Sequence, residues 1–148
     1  MLTFKQPLAL LLLALLLSGC AREKDLLDEQ ARQYCAKDGG VKTYEQVRLP
    51  ASSFDGYGVV NVPIASLSKP SDPFYYEWGI TYYKKGNPEM WRNHFRLYRR
   101  SDGKLLGEAI GYSRRGGDFP GPWHDSSFGC PEDSDISILK KRVFLRAE

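Results

Sequence analysis

Residues 74–112 read FYYEWGITYYKKGNPEMWRNHFRLYRRSDGKLLGEAIGY, and the fold turns on how this stretch is read. Phe74, Tyr76, Trp78, Ile80 and Tyr82 alternate with Tyr75, Glu77, Gly79, Thr81 and Tyr83, which is the two-residue period of a strand. Lys84-Lys85-Gly86-Asn87-Pro88 breaks it. Asn93 to Arg100 and Lys104 to Tyr112 then flank Asp102-Gly103, the dipeptide of a two-residue hairpin turn. With those two residues as the loop, Phe95 faces Ile110, Leu97 faces Glu108, and Arg99 lies diagonal to Glu108 within ion-pair reach. The other face sets His94, Arg96, Tyr98 and Arg100 across from Gly111, Ala109, Gly107 and Leu105.

On the upstream side, Arg22 to Lys37 predicts a helix. Leu27, Ala31 and Tyr34 fall at i, i+4 and i+7 with Leu26 and Cys35 flanking the stripe, and Asp28 and Arg32 form an i, i+4 pair. Asp38-Gly39-Gly40 stops it. Val41 to Leu49 reads as a strand ended by Pro50. The Ser-, Gly-, Asp- and Pro-rich stretch 51–73 holds one apolar run, Val59-Val60-Asn61-Val62, read as an edge strand. Downstream, 113–135 shows no periodicity, and Lys140 to Arg146 reads as a last strand through Val143, Phe144 and Leu145. Helix first, then strands with short connections, predicts an α+β domain: an N-terminal helix packed on an antiparallel β-meander of about four to five strands.

Composition sets outer bounds. The chain has 148 residues, 42% hydrophobic and 26% charged, with a net charge of +3. This excludes a multidomain enzyme, a polytopic membrane protein and a strongly charged disordered chain. The apolar content is unevenly spread, because half of the 18 leucines lie in the first 17 residues. Met1 and Lys5 open a short positive segment, and Leu8 to Leu17 is an unbroken run of Leu and Ala. As a helix those residues rise about 15 Å, half of a ~30 Å hydrocarbon core, which suits a secretory leader rather than a membrane span.

Leu17-Ser18-Gly19-Cys20 follows at once and resembles the lipobox of bacterial lipoproteins: an aliphatic residue, two small residues and a cysteine. The resemblance implies that 1–19 is a signal peptide, that Cys20 becomes the first mature residue and carries covalent lipid, and that residues 20–148 form a single lipid-anchored periplasmic domain. Several acyl chains give firm anchoring, each buried CH₂ adding roughly 0.8 kcal/mol. Ala21, where the Gram-negative pattern uses Asp for inner-membrane retention, implies the outer membrane with the domain facing the periplasm. The remainder of the chain resembles the small lipoproteins of Gram-negative envelopes, which include accessory subunits and immunity or inhibitor proteins.

With Cys20 lipidated, Cys35 and Cys130 remain, and an exported chain enters an oxidising compartment. One disulfide connectivity is possible, closing a loop of nearly 100 residues for which the entropy model gives at most about 4–5 kcal/mol. The competing use is a catalytic or metal-binding thiol. His94 and His124 are the only histidines, and neither stands in metal-ligand spacing with the cysteines.

Three features are candidates for function. Residues 84–115 carry nine Lys and Arg against three acidic residues, whereas the whole chain after residue 20 is only +2. Arg96, Tyr98, Arg99, Arg100, Arg114 and Arg115 in this segment suit an anion; the competing reading is a solvated hairpin whose charges protect its edge. The 113–130 loop offers Phe119, Trp123 and His124 as partner anchors, or Phe119 and Trp123 fold back on the sheet as a lid. His124-Asp125-Ser126 suggests a triad, but triads are assembled in space and adjacency is not their signature. Glu77, Glu89 and Glu108 are further carboxylates with nothing to select them.

The resulting expectation is an outer-membrane lipoprotein whose non-catalytic domain binds another envelope component, either a protein or an anionic glycan or lipid. It uses no metal, no nucleic acid and no cofactor beyond the lipid on Cys20. The alternative is a small envelope hydrolase centred on the 113–130 loop with His124. A third class, a lipoprotein bridging to peptidoglycan, would show a groove combining aromatics with Arg and Asp.

Overall fold

The computed structural model describes residues 23–119, 121–122 and 124–148. The leader, Cys20, Ala21 and Trp123 lie outside the described residues. The architecture is α+β: an N-terminal helix, a small C-terminal helix and an antiparallel five-stranded sheet.

Helix α1 is described over residues 23–38. Leu27 and Ala31 are buried against the sheet, with Tyr34 and Cys35 packed beside them. Leu26 turns to solvent and is 63% exposed, so it does not flank the buried stripe. The expected Asp28–Arg32 pair is also replaced. Arg32 pairs with Glu29 at 3.3 Å, while Asp28 reaches Arg114 of the sheet at 2.6 Å.

The sheet is built on β3 (Phe74–Lys84), β4 (Glu89–Arg99) and β5 (Leu105–Arg115). The outer edge of β5 is shared end to end. Strand β1 (Gly40–Thr43) pairs with Gly107 to Ile110, and β6 (Ser127–Cys130) pairs with Tyr112 to Arg115. Strand β3 forms the opposite edge of the sheet. Strand β6 lies in the stretch that showed no periodicity, since four residues are too few for alternation to register.

The hairpin register differs from the sequence reading by one residue. The loop has four residues, Arg100 to Gly103, closed by the Arg99 N–H donating to the Lys104 carbonyl at 2.9 Å, with Gly103 at φ 67°. A bulge follows, because Tyr98 opposes Leu105 but Leu97 opposes Gly107, which leaves Leu106 as the extra residue. Phe95 therefore faces Ala109 rather than Ile110, and Arg96 rather than Leu97 faces Glu108. A one-residue slip moves every side chain to the other face.

Three further expectations are corrected. Val41 to Leu49 is two strands. The chain turns away where the Tyr44 and Glu45 N–H groups both donate to the Leu106 carbonyl, and β2 (Val47–Leu49) pairs in parallel with β7 (Phe144–Arg146) in a separate two-stranded sheet. The Val59–Val62 run makes only an isolated bridge, Phe54 to Val60, and sends Val60 and Val62 into the core. Lys140 to Arg146 is not a strand throughout. Asp135 caps helix α2 (Ile136–Val143) by accepting from the Ile138 N–H at 2.8 Å, and only Phe144–Arg146 is extended. The i, i+3, i+7 spacing of Ile136, Leu139 and Val143 puts them on one helix face, and Leu139 and Val143 are fully buried.

Both sheet faces are covered in part. On one, Leu97, Ala109 and Phe74 pack with Leu139, Val143, Phe144, Val60 and Val62. On the other, Met90, Ile110 and Tyr112 pack with Leu27 and Ala31 of α1. The Sγ atoms of Cys35 and Cys130 lie at disulfide distance with Cα atoms 6.0 Å apart, tying α1 to the end of β6.

Gly107 shows how closely α2 approaches. A Cβ there would stand 2.8 Å from the Lys42 carbonyl and 2.9 Å from Leu139 Cδ1. Gly107→Ala is expected to lower stability by about 1–3 kcal/mol through overpacking; an unchanged midpoint in urea unfolding would show that α2 is not seated this tightly. Oxidised protein is expected to gain two alkyl labels only after reduction, read by intact mass. Cys35→Ser is expected to lower stability by up to about 4–5 kcal/mol.

Candidate functional site

The basic side chains singled out by sequence are engaged within the fold, all but Arg100 by carboxylates. Arg96 reaches Glu77 at 3.0 Å. Arg99 is shared between Glu45 at 2.6 Å and Asp102 at 2.9 Å. Arg100 stacks 4.8 Å over Tyr75 and donates to the Asp72 carbonyl and to Ser68 Oγ. Tyr98 stacks on the other strand's Tyr75 at 5.3 Å, and burial raises its pKa. Arg114 is buried: it grips Asp28 with two nitrogens, at 2.6 and 3.0 Å, and donates to Ser126 and the Gly116 carbonyl. Arg115 pairs with Glu89 at 2.7 Å.

The observed register explains this neutralisation. Glu77, Arg96, Glu108 and Lys42 are successive cross-strand neighbours on β3, β4, β5 and β1, a row of alternating charge. The expected Arg99–Glu108 pair does not form. Glu108 instead accepts from Tyr44 Oη at 2.5 Å and from His94 Nε2 at 2.6 Å. Burial raises its pKa, but these hydrogen bonds outweigh that and hold it below the usual carboxylate range. Arg92 approaches His94 Nδ1 at 3.3 Å, so Nδ1 is the acceptor and Nε2 carries the proton donated to Glu108. The carboxylates Glu77, Glu89 and Glu108 are thus each engaged by a cation or a histidine.

The 113–130 stretch is anchored at both ends, up to Asp118 and from Ser126 onward. Strand β5 runs on to Arg115. The Gly117 N–H donates to Asn87 Oδ1, and Asp118 accepts from Lys24 Nζ at 2.7 Å and from the Ser126 N–H at 2.5 Å. These two donors, the lysine first, hold the Asp118 carboxyl at about 2. Phe119 is 47% exposed. His124 and Asp125 are exposed, and Ser126 Oγ accepts from Arg114. Among the described residues His124 hydrogen-bonds to no acid or nucleophile, so His124, Asp125 and Ser126 do not assemble as a triad.

A feature that the sequence reading missed lies on the α2 face of the sheet, beyond the end of the core. A cleft of about 420 Å³ is lined by Trp78, Asn93, Phe95, Gly111, Ser113 and Gly129, and closed by Glu132, Ser134 and Asp135. Trp78 and Phe95 are cross-strand neighbours with rings 5.8 Å apart and inclined by only 8°. The indole N–H of Trp78 donates to Asn93 Oδ1 at 3.2 Å and fixes the ring. Gly111, Ser113 and Gly129 make a low floor on β5 and β6. The opposite wall follows Cys130, and the Ser134 hydroxyl donating to the Pro131 carbonyl at 2.8 Å shapes it. Trp78, Ile80 and Tyr82, all on this face, are 49%, 43% and 45% exposed. Their alternation was visible in sequence as a strand signal. Nothing local indicated that residues 131–135 would stand across from it.

Among the described residues no group of three His, Cys, Asp or Glu could hold a metal ion, and no helix is long and apolar enough to cross a membrane. No protein-family profile matches the chain, and no curated protein or solved structure matches it.

Two carboxyls link these pairs to pH. Hydrogen bonds from Arg99, then Lys104, hold Glu45 at about 2 against an ordinary 4.5, and Asp118 lies at about 2 against 3.8. The unfolded chain protonates first as pH falls, so the stabilisation is complete above about 4.5 and is lost on the way down to about 2. Urea midpoints are expected to fall across that window, and Glu45→Gln/Asp118→Asn is expected to flatten the acid limb. An equally steep limb in the double variant would assign the loss to other groups.

Proposed function

We propose that this chain is a lipid-anchored outer-membrane lipoprotein whose domain, residues 20–148, is a non-catalytic binding module facing the periplasm. Its docking surface is the cleft beside Trp78 and the aromatic strip that continues along β3. The anchor rests on the lipobox resemblance of Leu17-Ser18-Gly19-Cys20 after an Ala/Leu run. The docking surface rests on a single observation: Trp78, Ile80 and Tyr82 remain about half exposed beside a formed cleft. Contiguous exposed apolar surface rimmed by polar groups marks interaction sites. Arg96, Arg99, Arg114 and Arg115 already pair with carboxylates within the fold and Arg100 donates to Ser68 and the Asp72 carbonyl, which disfavours them as the principal contact.

A photoreactive residue at position 80 of the full lipid-anchored chain is expected to give a discrete envelope adduct, protein or glycan. One at position 26, exposed on the helix covering the other face, is expected to give none. Trp78→Ala should remove the adduct. Adducts from 26 and not from 80 would move the surface to α1. Cys20→Ala is expected to abolish palmitate labelling; labelling that persists would remove the anchor.

A further inference from the structure

We propose that the ligand of the Trp78 cleft is a neutral oligosaccharide strand, an inference that rests on the cleft being the docking surface. A sugar ring is amphipathic in a particular way: its C–H faces are apolar and weakly positive, and its hydroxyls project around the rim. A site for it needs a flat electron-rich surface below and hydrogen-bonding groups at the side. The face of an aromatic ring is negative and meets such C–H groups favourably.

The cleft supplies both parts. Trp78 stacks nearly parallel on Phe95 at one side of the cleft, and Trp78 keeps about half its surface open for a ring to lie against. The Trp78 indole uses the Asn93 carbonyl oxygen, which leaves the Asn93 NH₂ as a donor within the lining. Across the floor stand Glu132, Ser134 and Asp135, two carboxylate acceptors and a hydroxyl. Asp135 spends one oxygen on the Ile138 N–H and retains the other. The floor is low at Ser113 and Gly129, while the Ser134 side chain stands over Gly111. The volume of about 420 Å³ lies in the range of small-ligand sites, roughly 300–1,000 Å³.

Charge selects among saccharides. Among the described residues no Lys or Arg lines the cleft itself, and its acidic wall repels phosphorylated or sulfated glycans; Lys85 lies farther along the strip, over the Tyr82 ring. The anionic ligand expected from the basic hairpin therefore does not suit this cleft. The apolar wall continues past Ile80 to Tyr82, which tilts against Trp91 with centroids 6.1 Å apart. Four residues of strand cover about 13 Å. A strip of that length suits consecutive sugar units better than a monosaccharide.

The test is calorimetric titration of the full lipid-anchored chain in detergent with the neutral tetramer of N-acetylglucosamine, its de-N-acetylated cationic counterpart and a sulfated oligosaccharide. Binding of the neutral tetramer, about tenfold or more weaker in Trp78→Ala and in Asn93→Ala, is the expected result. No binding of the sulfated oligomer is expected. Both substituted side chains are partly exposed, and unchanged thermal melts confirm that the variants fold. A wild-type chain that ignores the neutral tetramer, binds only the cationic oligomer, or binds equally well without Trp78 overturns the proposal. A protein adduct from position 80 together with no tetramer binding would remove the saccharide and leave the docking surface standing. Failure of both would remove both.

Discussion

The register between β4 and β5 is the constraint on which the rest of this structure depends. It is set by a four-residue turn closed from Arg99 to Lys104, with Gly103 in the left-handed region, and by the bulge that leaves Leu106 over. Its effect is to place Gly107, Ala109 and Gly111 on the same face as Leu97, Phe95 and Asn93. Small residues on that face let α2 settle onto Gly107 and let Ser134 approach Gly111, where a Cβ would meet its hydroxyl at 2.4 Å. The same register sends Glu108 to the other face, between Arg96 and Lys42. Core packing, charge matching and the cleft floor are three results of one pairing choice.

That choice also governs how much of the fold could be read from the chain. The helix near residues 23–38, the alternation from Phe74 to Tyr83 and the presence of a hairpin were legible, because each rests on a period repeated over many residues. The turn was not. Asp102-Gly103 fits both a two-residue loop and the end of a longer one, and the difference is settled by contacts such as the Arg100 N–H donating to the carbonyl of Pro73, just ahead of β3. The C-terminal segment was misread for a related reason. Val143, Phe144 and Leu145 are apolar in succession, and a short apolar run does not distinguish a helix end from a strand start. The Asp135 cap and the burial of Leu139 against Gly107 decide it.

The site was less legible than the fold, and the charged residues show why. Sequence displays that Lys and Arg crowd residues 84–115, but the carboxylates of Asp28, Glu45 and Glu77 that pair with Arg114, Arg99 and Arg96 lie outside that stretch, and Arg100 bonds to the Asp72 carbonyl. A local excess of charge is then an ion-pair framework distributed over the sheet. Arg114 is the extreme case. It is 2% exposed, and its two bonds to Asp28 and three to Ser126 and Gly116 join α1, β5 and the following loop. Breaking such a buried pair from one side is costly, because the other charge is left uncompensated. The pair therefore holds Gly116 and Ser126 against the helix and the sheet.

The two faces of the sheet consequently differ in what they leave available. On the α1 face, Asp28, Asp38, His94, Arg96 and Glu108 are tied to one another and to Arg114, Tyr112, Arg92 and Glu77, so a ligand arriving there must compete with contacts already made. On the α2 face, the core ends near Phe95, and among the described residues the aromatic row carries on past it partly exposed. Trp78, Ile80 and Tyr82 stay exposed on a strand that is also the edge of its sheet, an arrangement that invites unwanted association unless something limits it. Lys84 and Lys85 at the end of that strand, the Tyr82–Lys84 bulge and the acidic wall across the cleft limit pairing with another chain's edge. Lys85 lies over the Tyr82 ring, 5.4 Å from its centroid, while Trp78 and Ile80 keep nearly half their surface open. Under the proposed function, surface that is protected from edge pairing without being buried suits a ligand that uses ring faces rather than backbone hydrogen bonds.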